Sequence, residues 1–276
     1  AYCDAATNGI KFDELIAFLN TLQAHDVVLL HPCCHNPTGV DLTQAQWDQV
    51  LEVVKAKNLL AFMDIAYQGF GEDMDADVYA IRKAVDMGLL FFVSNSFSKN
   101  LSLYGERVGG LSVVCKDEAQ AKAVQGQLLF NIRRIYSSPP SHCGHVVEIV
   151  MIDKATFNEW VQEVYVMRDR IKEMRQKLRD SLEAKLPGRS FDYITKQNGM
   201  FSYTGLTPEQ VARIIKDFIS KPTVIFIFIF FTSIHLVFIF YFFGIYTVAN
   251  GRISVAGLNA SNIDYVANAM AEVLKD

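Results

Sequence analysis

The chain has 276 residues, 51% of them hydrophobic, enough to bury a sizeable core in one large or two modest domains. With 26 Lys and Arg against 30 Asp and Glu, the formal net charge is −4, which excludes the basic footprint of a nucleic-acid-binding surface. Five cysteines stand at positions 3, 33, 34, 115 and 143 without CxxC spacing; contiguous side chains such as Cys33, Cys34 and His35 rarely converge on one ion, so no metal is assigned and reduced, mostly buried thiols in a cytosol-like compartment are expected.

The start, Ala-Tyr-Cys-Asp without methionine, is expected of a fragment or a processed product, and it shows no signal peptide. From Val27 onward the pattern is strand, turn, helix, repeated. Val27 to Leu30 is a short apolar run ending at His31-Pro32, and the loop from Cys33 to Asp41 holds Asn36-Pro37-Thr38-Gly39, a strong turn signal. Thr43-x-x-Gln46 resembles a capping box, with Trp47, Val50, Leu51 and Val54 following at helical spacing. Leu59 to Met63 predicts the next strand, closing on Asp64. Val78, Ile81 and Val85 mark a helix, and Leu89 to Val93 predicts a buried strand that leads to Lys99. This alternation implies an α/β fold, a parallel sheet with helices on both faces.

Leu111 to Val114 predicts a further strand, and Ala119 to Phe130 a helix that Tyr136-Ser137-Ser138-Pro139-Pro140 breaks. Phe157 to Leu186 carries apolar residues at threes and fours, so it predicts one long amphipathic helix, with Arg168, Arg170 and the lysines on a solvated polar face. Phe191 to Tyr193 and Met200 to Tyr203 are strand candidates. Thr207-Pro208 opens a helix to Phe218, Tyr246 to Ala249 predicts a strand, and Ser261 to Leu274 a final helix. The expected division is a partial large domain over 1–165 and a small C-terminal α+β domain over 166–276, interrupted by an apolar insertion at 219–243.

In open α/β sheets, ligands bind beyond the carboxyl ends of the strands. The first strand delivers Asn36, the second Asp64 and Tyr67, and the third Lys99, with Ser94, Ser96 and Ser98 on one side and Arg107 on the other. Singly, Lys99 is a solvated ammonium, Asn36 a turn residue, Asp64 a cap and Tyr67 a core aromatic. Gathered at successive strand ends, they suit a carbonyl cofactor that carries a phosphate. Lys99 offers an amine for a Schiff base, the serines and Arg107 suit the phosphate, Asp64 keeps a pyridine nitrogen protonated, and Asn36 and Tyr67 hydrogen-bond a phenolate oxygen. Pyridoxal 5′-phosphate (PLP) has all of these groups.

Seven stretches carry a resemblance: HPCCHNPTG (31–39), DIAYQGFG (64–71), SNSFSKN (94–100), SLYGERVGG (102–110), YSSPP (136–140), NGMFSYTGL (198–206) and NGRISVAGLN (250–259). In wording and order the chain resembles the class I aspartate and aromatic amino-acid aminotransferases, PLP-dependent enzymes of fold type I. Several wordings are similar to the bacterial aromatic branch, with the aspartate branch nearly as close. The resemblance implies transamination between an L-amino acid, aspartate, glutamate or aromatic, and a 2-oxo acid, on a fold with a mostly parallel sheet, flanking helices and a smaller C-terminal domain. Lys99 would bond the cofactor and move the substrate's α-proton, and Asp64 would meet the pyridine nitrogen. Asn36 and Tyr67 would meet the phenolate oxygen, Ser96 and Arg107 the phosphate, and Arg252 the α-carboxylate. Arg133 aligns with the arginine that crosses a homodimer interface to a substrate's side-chain carboxylate; its simpler role is a helix C-terminal cation. A cytoplasmic enzyme of amino-acid metabolism is implied.

The chain departs from that family in two places. The upstream part of the large domain, with a phosphate loop, a ring-stacking aromatic residue and a tyrosine given to the partner, is missing. The stretch from Ile219 to Phe243 falls where the family has a short turn, and the sequence is uncharged from Thr223 to Gly251. Its near restriction to Phe, Ile, Val, Leu and Tyr is what translation of a T-rich unspliced intron gives, and that origin is expected. Two alternatives stand beside the enzyme: an inactive aminotransferase-derived fragment, and a protein anchored in a membrane through 223–248.

Overall fold

The computed structural model describes residues 2–4, 7–218 and 251–275. The expected insertion at 219–243 and the strand expected at Tyr246 to Ala249 lie outside the described residues, as does the membrane-anchor candidate 223–248. Helix α1 (Phe12–Thr21) precedes a four-stranded sheet of β1 (Val27–Leu30), β2 (Leu60–Ile65), β3 (Phe91–Ser96) and β4 (Gly109–Val114), in that spatial order. Helices α2 (Gln44–Ala56) and α3 (Tyr79–Asp86) make the crossovers that set β1, β2 and β3 parallel, with Leu30 opposite Met63 and Asp64 opposite Ser94. No helix separates β3 from β4, so β4 returns antiparallel, with Ser96 opposite Gly109.

Local chemistry explains the helix starts. At α2 the capping box is present: Gln46 N donates to Thr43 Oγ1 at 3.3 Å and Thr43 N to Gln46 Oε1 at 2.9 Å. The face so started buries Trp47, Val50, Leu51 and Val54 against Ala61, Met63 and Phe91 of the sheet. Each such large apolar side chain contributes about 1.5–3 kcal/mol. Beyond β4 follow α4 (Glu118–Ile135), α5 (His142–Ile152) and the long α6 (Lys154–Lys185), the last capped by Asp153.

The C-terminal part contains α7 (Tyr193–Lys196), β5 (Phe201–Tyr203), α8 (Pro208–Asp217), β6 (Arg252–Ser254) and α9 (Ile263–Leu274). Strands β5 and β6 pair antiparallel, with Tyr203 opposite Arg252. Helix α6 lays Val164, Ile171, Met174, Leu178 and Leu182 into a core shared with Ala267, Met270 and Val273 of α9.

Several elements differ from the sequence expectation. Strands β2 and β3 run on past their apolar stretches to Ile65 and Ser96, because pairing with the next strand continues after the hydrophobic alternation stops. The strand expected at Phe191 to Tyr193 is instead the approach to a helical turn, with Phe191 buried and the Tyr193 hydroxyl donating to Thr204 O at 2.6 Å. Arg168 and Arg170 are more than a solvated face. Arg168 stacks 4.4 Å from the Tyr165 ring and donates to Glu72 O, and Arg170 donates to Ala256 O and Leu258 O.

Candidate active site

The loop after β1 is shaped by one buried carboxylate. Asp41 accepts from the backbone N–H of Cys34 and of His35, each at 2.8 Å, and from Asn198 Nδ2 at 3.1 Å. Burial raises its pKa and these three donors oppose the rise. With that loop held, His31 Nδ1 accepts from Asn36 N at 3.3 Å, which sets the backbone of Asn36 beyond the end of β1. The Asn36-Pro37 peptide is cis.

From the end of β2 come Asp64 and Tyr67. Ser94 on the neighbouring strand donates from Oγ to Asp64 Oδ1 at 3.0 Å, a pair that follows from their opposite positions in the register. The Tyr67 ring is buried, and burial raises its pKa. From the turn after β3 comes Lys99, with Nζ 4.8 Å from the centre of the Tyr67 ring. That turn is pinned by Trp160 of α6, whose Nε1 donates to Asn100 O at 2.7 Å. Burial and, less strongly, Arg107 lower the Lys99 pKa, while Asp64 opposes them. Lys99 is thus a partly desolvated amine between a carboxylate and a guanidinium.

Ser96 and Arg107 flank the lysine. Ser96 Oγ accepts from Ser98 N at 3.3 Å. Phe97 N donates to Val108 O at 3.3 Å, which closes the β3–β4 connection and keeps exposed Arg107 beside the Lys99 turn. Arg107 itself has φ +55° and donates to Tyr104 O at 3.1 Å.

Arg252 arrives from the other part of the chain. Gly251 before it has φ +77°, and a Cβ there would lie 2.8 Å from Leu206 O, so only glycine passes this point without a shift. The Arg252 guanidinium lies 4.5 Å from the Phe201 ring centre, and its Nη1 donates to Asn36 Oδ1 at 3.0 Å. Phe201 in turn meets Tyr67 edge to face at 6.1 Å. Asn36, Asp64, Tyr67, Lys99 and Arg252 therefore share one crevice at the sheet's carboxyl edge, with Ser96 and Arg107 on its flank. Arg133 stands apart: it is exposed in the last turn of α4 and donates to Ser137 Oγ at 2.8 Å.

Sequence reasoning gave no role to His31 or Phe201, although both fall inside the motif stretches. It also left Ser94 without its Asp64 partner, which the strand register could have supplied. Cys33, Cys34 and Asp77 bring their ligand atoms within 4.8 Å of one another, but the Asp77 carboxylate accepts three backbone N–H groups, from Gly69, Gly71 and Glu72, and acts as the knot of that turn.

The fold, a mostly parallel sheet flanked by helices, is that of the PLP-dependent transferases of fold type I. Within that class the chain belongs to the family Aminotransferase class I and II, which matches residues 1–270. It is 50% identical over 271 residues to the aromatic-amino-acid aminotransferase of Escherichia coli K12, covering 98% of this chain and 62% of that protein. It is 44% identical over 273 residues to an aspartate aminotransferase of Pseudomonas aeruginosa, covering 99% and 62%. Among solved structures, the psychrophilic aromatic amino acids aminotransferase of Psychrobacter sp. B6, cocrystallised with aspartic acid, superposes with TM-score 0.89 at 64% identity, covering 100% of this chain and 63% of that one. The aromatic-amino-acid aminotransferase of Burkholderia pseudomallei, covalently bound to pyridoxal phosphate, superposes with TM-score 0.88 at 48% identity, covering 99% and 62%. The chain thus spans about 62% of the length of the curated relatives it matches.

Proposed function

We propose that the protein exchanges the amino group of an L-amino acid, aspartate, glutamate or aromatic, with a 2-oxo acid, using PLP. The observation that carries this reading is the meeting of Lys99 and Arg252 across Tyr67, Phe201 and Asn36, which sets an amine and a carboxylate-binding fork around one crevice. The donor set fits PLP: an amine, an opposed carboxylate, a phenol and an amide, and a hydroxyl with a guanidinium on the flank.

PLP, when bound, supplies an aldehyde carbon for the amino group and an electron sink for the substrate's α-carbon. Asp64 would hold its pyridine nitrogen, Asn36 and Tyr67 its phenolate oxygen, and Ser96 and Arg107 its phosphate. Burial lowers the Lys99 pKa, which favours the neutral amine, and its Nζ would act as a nucleophile and then take and return the α-carbon proton. Arg252 offers the substrate's α-carboxylate a planar pair of donors, and stacking on Phe201 fixes the plane of that fork.

We also propose a division near residue 165, with the sheet in one domain and the carboxylate-binding part in the other, and a homodimer in which Arg133 serves the partner's crevice. Cytoplasmic residence completes the reading. Among the described residues, no helix is long and apolar enough to cross a membrane.

The cofactor assignment is tested by loading the chain with PLP, reducing with borohydride and mapping the phosphopyridoxyl group by peptide mass. The group is expected on Lys99 and on no other lysine, and Lys99→Ala is expected to carry none. A label spread over surface lysines, or unchanged by Lys99→Ala, contradicts the assignment.

A further inference from the structure

Among the described residues, the largest fully buried side chain is an arginine. Arg175 lies on the core-facing stripe of α6 beside Ile171, Met174 and Leu178, and is 2% exposed. Its guanidinium donates to three backbone carbonyls of one short segment: Ile194 O at 3.0 Å, Gly199 O at 2.9 Å and Phe201 O. Its Nε is buried without a partner, and among the described residues no carboxylate forms an ion pair with it. The Asp41 carboxylate favours its charge from nearby without a direct bond.

Such a group is a poor way to gain stability. A buried cation without a counter-ion carries a desolvation cost that a leucine or methionine on the same helical face avoids. What the three bonds do supply is a path for residues 194–201. That segment is pressed against the Asn36 loop from the other side. At Gly199, with φ +78°, a Cβ would lie 2.6 Å from Cys34 Cβ, so only glycine fits there without a shift, and Asn198 bonds both Gly39 O and Asp41. The segment ends at Phe201, whose ring carries Arg252 on one contact and Tyr67 on another, while Arg252 reaches back to Asn36.

We infer that Arg175 is a positioning residue for the carboxylate-binding fork: by holding the carbonyls of Gly199 and Phe201, it fixes the Phe201 ring against which Arg252 is aligned. This rests on the reading of Arg252 as the carboxylate site. Removing the guanidinium leaves three carbonyls short of a donor, two of them in the stretch that carries Phe201, and the fork loses its fixed plane. The Lys99 turn, pinned separately through Trp160 and Asn100, is left in place.

The test uses the full chain with PLP, and 3-phenylpropanoate as a probe that has a carboxylate but no amino group. Arg175→Met is expected to weaken the probe at least tenfold by calorimetric titration, while half-saturation by PLP stays within twofold. Arg175→Lys, which keeps a donor, is expected to fall between the two. In a Phe201→Ala background, Arg175→Met is expected to add less than a further twofold, because the ring that transmits its effect is gone. Probe binding unaltered in Arg175→Met overturns the inference, as does a parallel loss of PLP and probe affinity, or full additivity with Phe201→Ala. A wild-type chain that binds PLP and no probe contradicts the carboxylate reading of Arg252 itself, and the inference falls with it. If Arg175→Met does not fold, the Arg175→Lys and Phe201→Ala pair decides by the same additivity criterion.

Discussion

At the scale of single residues, the site is built on a few groups whose protonation the fold controls. His35 stacks on Tyr2 with ring centres 3.9 Å apart and exchanges a hydrogen bond with Thr38 at 2.8 Å. Burial, with the neighbouring His31 adding to it, pushes its pKa down to about 4. Since an unfolded histidine titrates near 6.5, the unfolded chain binds the proton first as pH falls from about 6.5 to 4. Stability is therefore expected to drop through that window, by about 3 kcal/mol from this residue at 1.4 kcal/mol per unit. Urea unfolding at pH 7 and pH 4 checks it: His35→Gln should lose visibly less stability over the interval than wild type, and equal losses would contradict the assignment. Asn36, Asp64 and Lys99 were legible in the sequence because each follows an apolar run and the fold class says where strand ends point. Arg175 was not legible. On a helical face read by hydropathy, an arginine counts as solvent-facing, and only the carbonyls of a segment about 20 residues away explain its burial.

At the scale of elements, legibility followed hydrophobic periodicity. The crossovers through α2 and α3 were visible as capping box and spacing, while α5 (HCGHVVEIVMI) was missed because its apolar residues form no clear stripe and only Cys143 and Val147 are buried. Helix α4 shows what periodicity cannot predict. It has no buried residue, and Leu129, Phe130 and Ile135 are 59%, 56% and 77% exposed. These three side chains point to different sides of the helix, so α4 is open all round rather than along one stripe. In the proposed homodimer part of this exposed apolar surface is covered, and Arg133 on the same helix is brought toward the partner's crevice. Sedimentation equilibrium of the PLP-loaded chain is expected to give a dimer, and Phe130→Glu a monomer. A monomer for both, or a dimer unaffected by the substitution, speaks against α4 as the interface.

At the scale of the whole molecule, two walls meet at the proposed site. One wall is the carboxyl edge of the parallel sheet, and the other is the β5–β6 pair delivered by α6. Side-chain contacts between the two walls include Asn36 with Arg252, Asp41 with Asn198 and Tyr67 with Phe201. Both sheet edges leave apolar side chains in the open, with Val27 and Leu29 on β1 and Leu111 on β4 more than half exposed. We propose that the described walls are sufficient for both half-reactions of amino transfer at Lys99, even though the chain spans about 62% of the length of its relatives. The most direct measurement is amino transfer by the PLP-loaded chain from ¹⁵N-labelled aspartate or tyrosine to unlabelled 2-oxoglutarate, followed by mass spectrometry of the glutamate formed. Labelled glutamate is expected with wild type, and a loss of at least a thousandfold in rate with Lys99→Ala. No label transfer by wild type that has bound PLP at Lys99 would contradict it.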